Sequence, residues 1–381
     1  RSGTGFEDMR GICYISGYKP KGYLELPSFE DVSTDTALFI DMFRTFHQNN
    51  DPVTGKGLYQ RHGNRHLVHN PPWPILTAHE LDAVYELDYE HETHPHERAR
   101  GEVKAIETIR FSLRTHRGCM GQCNFCSISM HEGAYVVSRS EASILSEAER
   151  LTSHPSFKGY LQDVGGPTAN MYGFSCTMNK HTGLCRQKRC LFPHICPQLD
   201  VDHERQISLL RKLRSLPGVK KAFVTSGIRH DLVCADRQNG DAYLREITAH
   251  HVSGQMKLAP EHADRQVLDR MGKTGIETLL SFRDRFLSHS REKNKKQFLT
   301  YYFLAAHPGC TENDMKRLRA FINRHLKMTP EQVQIFTPTP STYSTLMYYT
   351  GIDPFTGGKI FVERDPVRKK GQKDIITGQK R

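Results

Sequence analysis

The segment Arg117-Gly118-Cys119-Met120-Gly121-Gln122-Cys123-Asn124-Phe125-Cys126 decides how the chain is interpreted. Its cysteines are separated by three and then two residues, and an aromatic residue directly precedes the last of them. A 4Fe-4S cubane is normally held by thiolates on all of its irons. A loop that supplies only three thiolates leaves one iron open to another ligand. The spacing therefore favours an iron-sulfur cluster with a free coordination position.

Zinc binding and a disulfide scaffold are the alternatives for this triplet. His116 or His131 would complete a zinc site, but zinc ligands usually come as Cys-x2-Cys pairs with a second pair about a dozen or more residues away. The chain has 10 cysteines among 381 residues, most of them in two groups. This usage fits metal ligation in a reducing compartment better than a small, disulfide-dense secreted protein. Iron-sulfur binding is the favoured interpretation.

The composition predicts a large folded protein without a membrane anchor. With 37% hydrophobic and 25% charged residues, the chain can bury one barrel-sized core with an attached segment. No apolar run approaches the roughly 20 residues of a membrane helix, and the first residues, 1–10, lack the regions of a signal peptide. We therefore expect a cytoplasmic protein. Because the chain begins at Arg1 without a methionine, we expect a fragment whose natural N-terminus lies upstream.

The formal net charge of +11 raises the question of a nucleic-acid partner. The basic residues are scattered, and the densest run, residues 368–370, lies in a glycine-containing tail that we predict to be solvated. No signature of an RNA-binding module occurs. A nucleic-acid partner is therefore disfavoured, and no membrane partner is expected. Some basic residues lie among a second group of cysteines, where they would offset anionic clusters: Lys180, Arg186, Lys188 and Arg189.

Residues from about 107 to 340 alternate strand-like and helix-like segments, which is the pattern of parallel βα units. Helices are predicted to begin at a Ser138/Glu141 capping box, at Asp202 and near Thr311. Polar or Gly/Pro residues follow the strands, and such positions form the active-site end of a βα barrel. The predicted fold class is α/β, a partial (β/α)6 TIM-like barrel. Its predicted strands are 107–113, 160–163, 221–226, 255–259, 298–304 and 332–336.

Three regions are expected along the chain. Residues 1–100 do not continue the βα pattern and form an N-terminal arm that packs on the barrel, with a helix near 34–47 and another opened by a Thr77/Glu80 capping box. The core occupies 101–345 and contains a cysteine-rich insertion at about 170–200. A basic C-terminal tail covers 346–381.

The insertion carries the second cysteine set, which consists of Cys176, Cys185, Cys190 and Cys196. Four thiolates make a closed metal site, and a bound metal would cross-link a polar segment that has few apolar side chains. The wide spacing lacks the Cys-x2-Cys knuckle common in zinc sites. An auxiliary 4Fe-4S cluster is therefore favoured over zinc, and unligated thiols are the third interpretation.

Further motifs follow the cysteine triplet: Gly165-Gly166-Pro167-Thr168-Ala169-Asn170-Met171-Tyr172, Ala259-Pro260-Glu261-His262 and Ala306-His307-Pro308-Gly309. With these motifs in this order, the chain resembles the YgiQ family of radical SAM proteins from about residue 24 to Gly351. The resemblance implies the six-stranded radical SAM barrel. It also implies S-adenosyl-L-methionine as a cofactor at the open iron, and an upstream domain similar to cobalamin-binding domains that this chain does not include.

The resemblance assigns the cluster and the adenine side of the cofactor to one loop. Cys119, Cys123 and Cys126 would hold the 4Fe-4S cluster, and Phe125 would cover the adenine side of the site.

It also implies contacts to the rest of the cofactor. Gly165 and Gly166 would let the backbone approach the methionyl amino group, because glycine removes the side-chain obstacle. Many superfamily members have Gly-Gly-Glu where this chain has Gly-Gly-Pro, and Asp163 is the candidate replacement for the missing carboxylate. The candidates for binding the carboxylate and ribose of the cofactor are Ser226, Arg229 and Glu261.

A radical SAM enzyme is the function that the resemblance implies. An external one-electron donor of the flavodoxin or ferredoxin type would reduce the cluster, and reductive cleavage of the cofactor would give a 5'-deoxyadenosyl radical that acts on an unknown substrate. The alternative is a metal-stabilised nucleic-acid-binding module without catalysis. A barrel that binds the cofactor without turnover is the third interpretation. The ordered strands with polar ends argue against a pure binding module.

Overall fold

The structure is a computed structural model that describes residues 5–176, 178, 182–186 and 189–378. Four basic residues that the sequence analysis associated with the second cysteine set or the tail lie outside this part of the chain: Lys180, Lys188, Lys380 and Arg381.

The N-terminal region contains a sheet that the sequence analysis missed. Its strands are β1 (Cys13–Ser16), β2 (Leu24–Leu26), β3 (Leu58–His62) and β4 (Arg65–His69), in the order β1-β4-β3-β2. Histidine and arginine occupy many positions of β3 and β4, so neither strand shows a clear alternation of apolar and polar residues.

The helices expected in this region are present. They are α1 (Phe29–Thr34), α2 (Thr36–Gln48) and α3 (Ala78–Tyr85). The predicted capping box opens α3, because the Thr77 side chain accepts from the Glu80 backbone and the Glu80 side chain accepts from the Thr77 backbone.

Parallel strands in chain order form the predicted barrel, and the α/β fold class is confirmed. β5 pairs with β9, β8 with β12, and β13 with β14 and then β15, all in parallel. Backbone contacts continue this order between the paired segments, from Val164 to Phe223 at 2.8 Å and from Ile228 to Leu258 through a parallel bridge. The barrel strands are β5 (Ser112–Arg114), β8 (Tyr160–Leu161), β9 (Asp163–Gly165), β12 (Lys221–Ala222), β13 (Gln255–Glu261), β14 (Phe298–Ala305) and β15 (Val333–Ile335).

Two short antiparallel pairs stand outside the barrel. β6 (His116–Arg117) pairs with β7 (Val137–Ser138) across the cysteine segment, and β10 (Ser175–Cys176) pairs with β11 (Leu199–Asp200) across the insertion. Both pairs close loops at the end of the barrel where the strands terminate.

Helices alternate with the strands as the pattern predicts. Three further segments are a 3-10 turn at Phe6–Asp8 and π-helical turns at Ile247–His251 and Ile322–Leu326. The remaining helices are α4 (Pro95–Arg98), α5 (Ile106–Ile109), α6 (Ile128–His131), α7 (Glu141–Thr152), α8 (Glu204–Ser215), α9 (His230–Ala235), α10 (Gly240–Glu246), α11 (Arg265–Met271), α12 (Glu277–Glu292), α13 (Glu312–Phe321), α14 (Tyr343–Thr350) and α15 (Pro366–Thr377).

Two predicted boundaries are wrong. The N-cap of α7 is Ser140, whose hydroxyl accepts from Ser143 N at 3.1 Å, whereas Ser138 lies in β7 and accepts from Gly173 N at 2.8 Å. The strand predicted from residue 107 begins at Ser112, because α5 forms a surface turn before it.

The predicted solvated tail is also wrong over α15. Gln372, Asp374 and Ile376 are buried, and the Gln372 carboxamide oxygen accepts from Ala306 N at 3.0 Å. The helix therefore packs where β14 ends, with Arg368 and Lys370 exposed and Lys369 donating to the Tyr348 hydroxyl at 3.0 Å.

The main core lies between the barrel strands and the surrounding helices. Leu161, Val164 and Leu258 from the strands and Leu210 and Phe282 from the helices are completely buried. Burial of each such side chain is worth roughly 1.5–3 kcal/mol, so this core supports the loops at the strand ends. Among the described residues, no helix is long and apolar enough to cross a membrane.

Candidate active site at the cysteine triplet

The cysteine loop, residues 117–126, requires glycine at its start. Gly118 has φ of +84°, and a Cβ there would lie 1.8 Å from the Tyr135 carbonyl oxygen. The next residue, Cys119, donates its backbone N–H to Gly133 O at 3.1 Å. The chain thus turns sharply as it leaves β6, and no other residue fits this close approach.

Asn124 fixes the middle of the loop to two other elements. Its backbone N–H donates to Met271 O and its side-chain amide to Arg270 O, both at 2.8 Å, at the end of α11. Its carbonyl accepts from Ser344 N at 2.9 Å, in the first turn of α14. The positions of the flanking cysteines are therefore set by the barrel and by the C-terminal segment together.

The three cysteines line one cleft of about 160 Å³ at the end of the barrel. Thr168 Oγ1 lies 3.3 Å from Cys119 Sγ, and Gly121 N donates to the same sulfur at 3.4 Å. The cleft is also lined by residues that follow the third and fourth barrel strands, including Arg229, Asp231, Glu261 and Lys273.

The donor set fits an iron-sulfur cluster. Burial raises the pKa of the Cys119 thiol, and burial raises the pKa of Cys126 to about 12, so bare thiolates are disfavoured unless a cation compensates them. Within the described ranges, no three His, Cys, Asp or Glu side chains converge as ligands of a single metal ion. A cubane does not require such convergence, because each thiolate binds a different iron.

Arg229 places positive charge beside the sulfurs. Its Nη1 lies 3.9 Å from Cys123 Sγ, and its Nε donates to Asp231 Oδ1 at 3.0 Å. Thr274 Oγ1 donates to Asp231 Oδ2 at 3.0 Å. Burial alone would raise the pKa of Asp231, but the Arg229 charge outweighs it and holds the pKa well below its usual range. The buried pair is therefore ionised and keeps the guanidinium at the cleft.

Glu261 ends β13 in a strained conformation and lines the same cleft. It has φ of +67°, where non-glycine residues are uncommon. Burial raises the pKa of its carboxyl group, and Lys273 Nζ lies 3.6 Å from Glu261 Oε1. Strain of this kind is concentrated at functional sites.

The structure brings only some of the predicted site residues to the cleft. Those that line it are Cys119, Cys123, Phe125, Cys126, Arg229 and Glu261.

The other predicted cofactor contacts support the loops behind the cleft and are absent from its described lining. Asp163 Oδ1 accepts from Thr225 N at 2.8 Å and from Ser226 N at 3.0 Å, and its other oxygen accepts from the Ser226 hydroxyl. A Cβ at Gly166 would lie 2.5 Å from the His116 ring, and one at Gly165 would lie 3.3 Å from Ala169 Cα. Close packing inside the protein therefore requires glycine at position 166 and favours it at position 165.

Sequence reasoning missed several residues of the cleft, among them Thr168, Asp231 and Lys273. Thr168 lies within the quoted Gly-Gly-Pro-Thr motif, and Asp231 follows Arg229 by two positions, so both carried a local signal. Lys273 lies after α11 without any recognisable pattern. Its role depends on a contact with Glu261 that only the folded chain creates.

The second cysteine set is gathered in the insertion. Cys176, Cys190 and Cys196 belong to one apolar cluster that also contains Met120 and Cys119 of the cysteine loop. Burial raises the pKa of Cys190 to about 12, and the charges of the other three thiols of the set add to the effect. Cys185 is exposed. Among the described residues these thiols do not converge as ligands of a single metal ion, and a metal centre at this set stays a prediction.

Comparison with known proteins gives matches over the whole chain. Residues 2–112 match the protein-family model described as Radical SAM N-terminal. A UPF0313 protein of Fusobacterium nucleatum is 46% identical over 381 residues, covering 100% of this chain and 67% of that protein. A UPF0313 protein of Methanosarcina mazei is 47% identical over 356 residues, covering 93% of this chain and 56% of that protein. The chain thus spans about half to two thirds of the length of these relatives.

Two solved structures are similar at much lower identity. The radical S-adenosylmethionine methyltransferase TsrM from Kitasatospora setae, with cobalamin and a [4Fe-4S] cluster bound, is 15% identical with a TM-score of 0.40, over 65% of this chain and 41% of that chain. The cobalamin-dependent S-adenosylmethionine radical enzyme OxsB is 15% identical with a TM-score of 0.44, over 77% of this chain and 35% of that chain.

Proposed function

We propose that this chain, which belongs to the UPF0313 family, also called the YgiQ family, is a radical SAM enzyme with its cluster on Cys119, Cys123 and Cys126. The observation that carries the proposal is the single cleft that these cysteines share with Arg229 and Glu261 at the end of the barrel strands. In βα barrels this end carries the active site.

Cys119, Cys123 and Cys126 would hold a 4Fe-4S cluster, which, when bound, would supply the electron for reductive cleavage of S-adenosyl-L-methionine. The residues of the chain prepare this chemistry. Arg229 would offset the negative charge of the thiolates, and Thr168, 3.3 Å from Cys119 Sγ, would donate to that sulfur once it is a cluster-bound thiolate. Phe125 and Glu261 line the cleft where the adenosyl part of the cofactor would lie.

The remaining predicted contact residues position the loops around the cleft. Asp163 and Ser226 hold the loop after the third strand, and Gly165 and Gly166 let the second strand pack against His116 and Ala169. We assign them to the support of Arg229 and the cysteine loop.

We assign a second metal centre to Cys176, Cys185, Cys190 and Cys196, with an auxiliary 4Fe-4S cluster favoured over zinc. Such a centre would cross-link the insertion and would add negative charge next to Arg186 and Arg189. The partners of the enzyme are an external one-electron donor of the flavodoxin or ferredoxin type and a substrate that loses a hydrogen atom. The cysteine usage fits a cytoplasmic setting.

The metal content of anaerobically purified protein tests this proposal. A brown, iron-rich protein with the absorption of 4Fe-4S clusters is the expected result. A colourless protein loaded with zinc would contradict it and would support the metal-stabilised binding module. A matched sample with Cys234 changed to Ala should keep its iron, because this cysteine lies outside both groups.

A further inference from the structure

A larger cavity, of about 620 Å³, lies on the outer side of the cysteine loop. We call it the arginine cavity. It is bounded by the end of α2, the insertion, α11 and the segment around α14, and Gln122 and Asn124 of the cysteine loop form part of its wall. Its volume is within the range of small-molecule sites. Its lining includes the arginines Arg186, Arg189 and Arg270 and the aromatic residues Phe192, Tyr343 and Phe355.

Arg189 is held in place without a carboxylate partner. Its guanidinium lies 5.6 Å from the Tyr343 ring centre and 5.3 Å from the Phe355 ring centre, and Nη1 donates to Gln122 O at 3.0 Å. Within the described part of the chain this is its one hydrogen bond, and no ion pair involves it. Burial lowers the pKa of Arg189, yet an arginine stays charged. Most of its N–H donors therefore remain available to a ligand.

The aspartates of the lining are engaged elsewhere. Asp51 accepts from Val53 N at 2.7 Å, from Leu184 N at 2.5 Å and from the Tyr135 hydroxyl at 3.0 Å. Asp269 pairs with Arg265 at 2.9 Å, and Asp353 accepts from Phe355 N at 2.9 Å. No ion pair joins any of these carboxylates to an arginine of the cavity among the described residues. The three carboxylates balance the three arginines in formal charge, but none of them pairs with Arg189, so its guanidinium donors are open to another oxyanion.

The neighbours of Arg189 add further hydrogen-bond donors to the cavity. Arg270 has a buried Nε without a hydrogen-bond partner among the described residues, and Arg186 is exposed at the rim. His47 adds no charge at neutral pH, because burial and the Arg189 charge lower its pKa to about 4. Its ring, 4.5 Å from that of Tyr343, completes an aromatic wall.

We propose that the arginine cavity binds a small molecule through an oxyanion group, either a carboxylate or a phosphate, with Arg189 as the principal ligand. The planar fork of arginine donors matches both groups. The site goes beyond the radical chemistry proposed above and does not require it. Its position against the cysteine loop makes it suited to hold the charged end of a substrate or an effector.

Calorimetric titration of the purified, metal-containing chain with inorganic phosphate and, separately, with malonate tests the proposal. The reference solution contains sodium chloride at the same ionic strength, so that general screening cancels. Saturable binding of phosphate alone identifies a phosphate site, and saturable binding of malonate alone identifies a carboxylate site. Failure of both anions to saturate would overturn the proposal.

Arginine variants locate the binding. Arg189→Gln should weaken it about tenfold or more, since charge-assisted hydrogen bonds are lost, whereas Arg324→Gln, an exposed residue remote from the cavity lining, should leave it unchanged. If Arg189→Gln does not fold, Arg186→Gln decides, because its exposed side chain puts folding at little risk and its loss should weaken binding severalfold. If the folded cavity variants bind the anion as tightly as the unmodified chain does, the anion binds outside the arginine cavity. Cofactor cleavage is measured separately, so its failure would leave this result unaffected.

Discussion

The side-chain amide of Asn170 forms hydrogen bonds with both the backbone N–H and the backbone carbonyl of Arg229. Its Oδ1 accepts from Arg229 N at 2.9 Å, and its Nδ2 donates to Arg229 O at 3.0 Å. Asn170 is completely buried and also contacts His203 Nε2 at 3.2 Å, while His203 Nδ1 lies 2.7 Å from Asp236. A motif in the loop after the second strand thus fixes the arginine that follows the third strand beside Cys123.

Replacement of Asn170 by Ala tests this relationship. Loss of the three buried hydrogen bonds of this side chain should lower the free energy of unfolding by about 1–3 kcal/mol. The displaced Arg229 should reduce affinity for S-adenosyl-L-methionine while the iron content stays unchanged. Denaturant unfolding and equilibrium binding of the cofactor are the measurements. Asn323→Ala, at an exposed position, is the control and should change neither. Normal cofactor affinity in a folded Asn170→Ala protein would show that this contact does not position Arg229 for cofactor binding.

Thr168→Val should change the redox behaviour of the first cluster without removing it. The variant keeps the shape of the side chain but loses the hydroxyl that lies 3.3 Å from Cys119 Sγ. Hydrogen bonds to cluster sulfurs are among the factors that set the reduction potential, so its loss should make the midpoint potential more negative. A spectroelectrochemical titration measures this. Thr329→Val, at an exposed position, should leave the potential as in the unmodified chain, and an identical potential in both variants would show that the hydroxyl does not contact the cluster.

The second centre is tested by removing the first. A variant with Cys119, Cys123 and Cys126 all changed to Ala should retain roughly half of the iron if an auxiliary 4Fe-4S cluster is present. Retention of a zinc ion would support the alternative metal. A folded variant without any metal would contradict the second centre. Elemental analysis together with circular dichroism distinguishes these outcomes.

The free energy of unfolding at acidic pH should depend on Glu246. Burial would raise its pKa, but the hydrogen bonds from His251 and Arg211 and the charges of His251 and Arg214 outweigh burial and lower the pKa to about 2. A depressed carboxyl pKa stabilises the fold above the usual pKa near 4.5, and this contribution is lost as the pH falls towards 2.

Glu246→Gln should therefore destabilise the cluster-free chain by about 1–3 kcal/mol at pH 7. The difference from the unmodified chain should shrink between about pH 4.5 and pH 2. Urea unfolding at several pH values measures both quantities, with Glu331→Gln as an exposed control. A constant difference across this pH range would show that ionisation of Glu246 does not stabilise the fold.

The order of the barrel strands and the cysteine loop could be predicted from the sequence, because strand periodicity and cysteine spacing are local signals. The N-terminal sheet could not, since its strands such as Arg65–His69 are rich in histidine and arginine and become strands only by pairing. The packing of helix Pro366–Thr377 could not be predicted, because its run of basic residues is typical of a solvated segment, whereas Gln372, Asp374 and Ile376 are buried.

The same limit applies to the site. Cys119, Cys123 and Arg229 could be placed at the cleft by order along the barrel. Asp163 could not be assigned, because a free carboxylate and one that accepts two backbone N–H groups are identical in sequence. Contacts between residues far apart in the chain decide such roles.

Formation of 5'-deoxyadenosine tests the central claim most directly. The reconstituted chain, incubated anaerobically with dithionite and S-adenosyl-L-methionine, should release 5'-deoxyadenosine and methionine, and Cys123→Ala should release neither. Cys234→Ala, the control outside both cysteine groups, should match the unmodified chain. Undiminished release of 5'-deoxyadenosine by Cys123→Ala, or no release by a fully iron-loaded unmodified chain, would contradict the account.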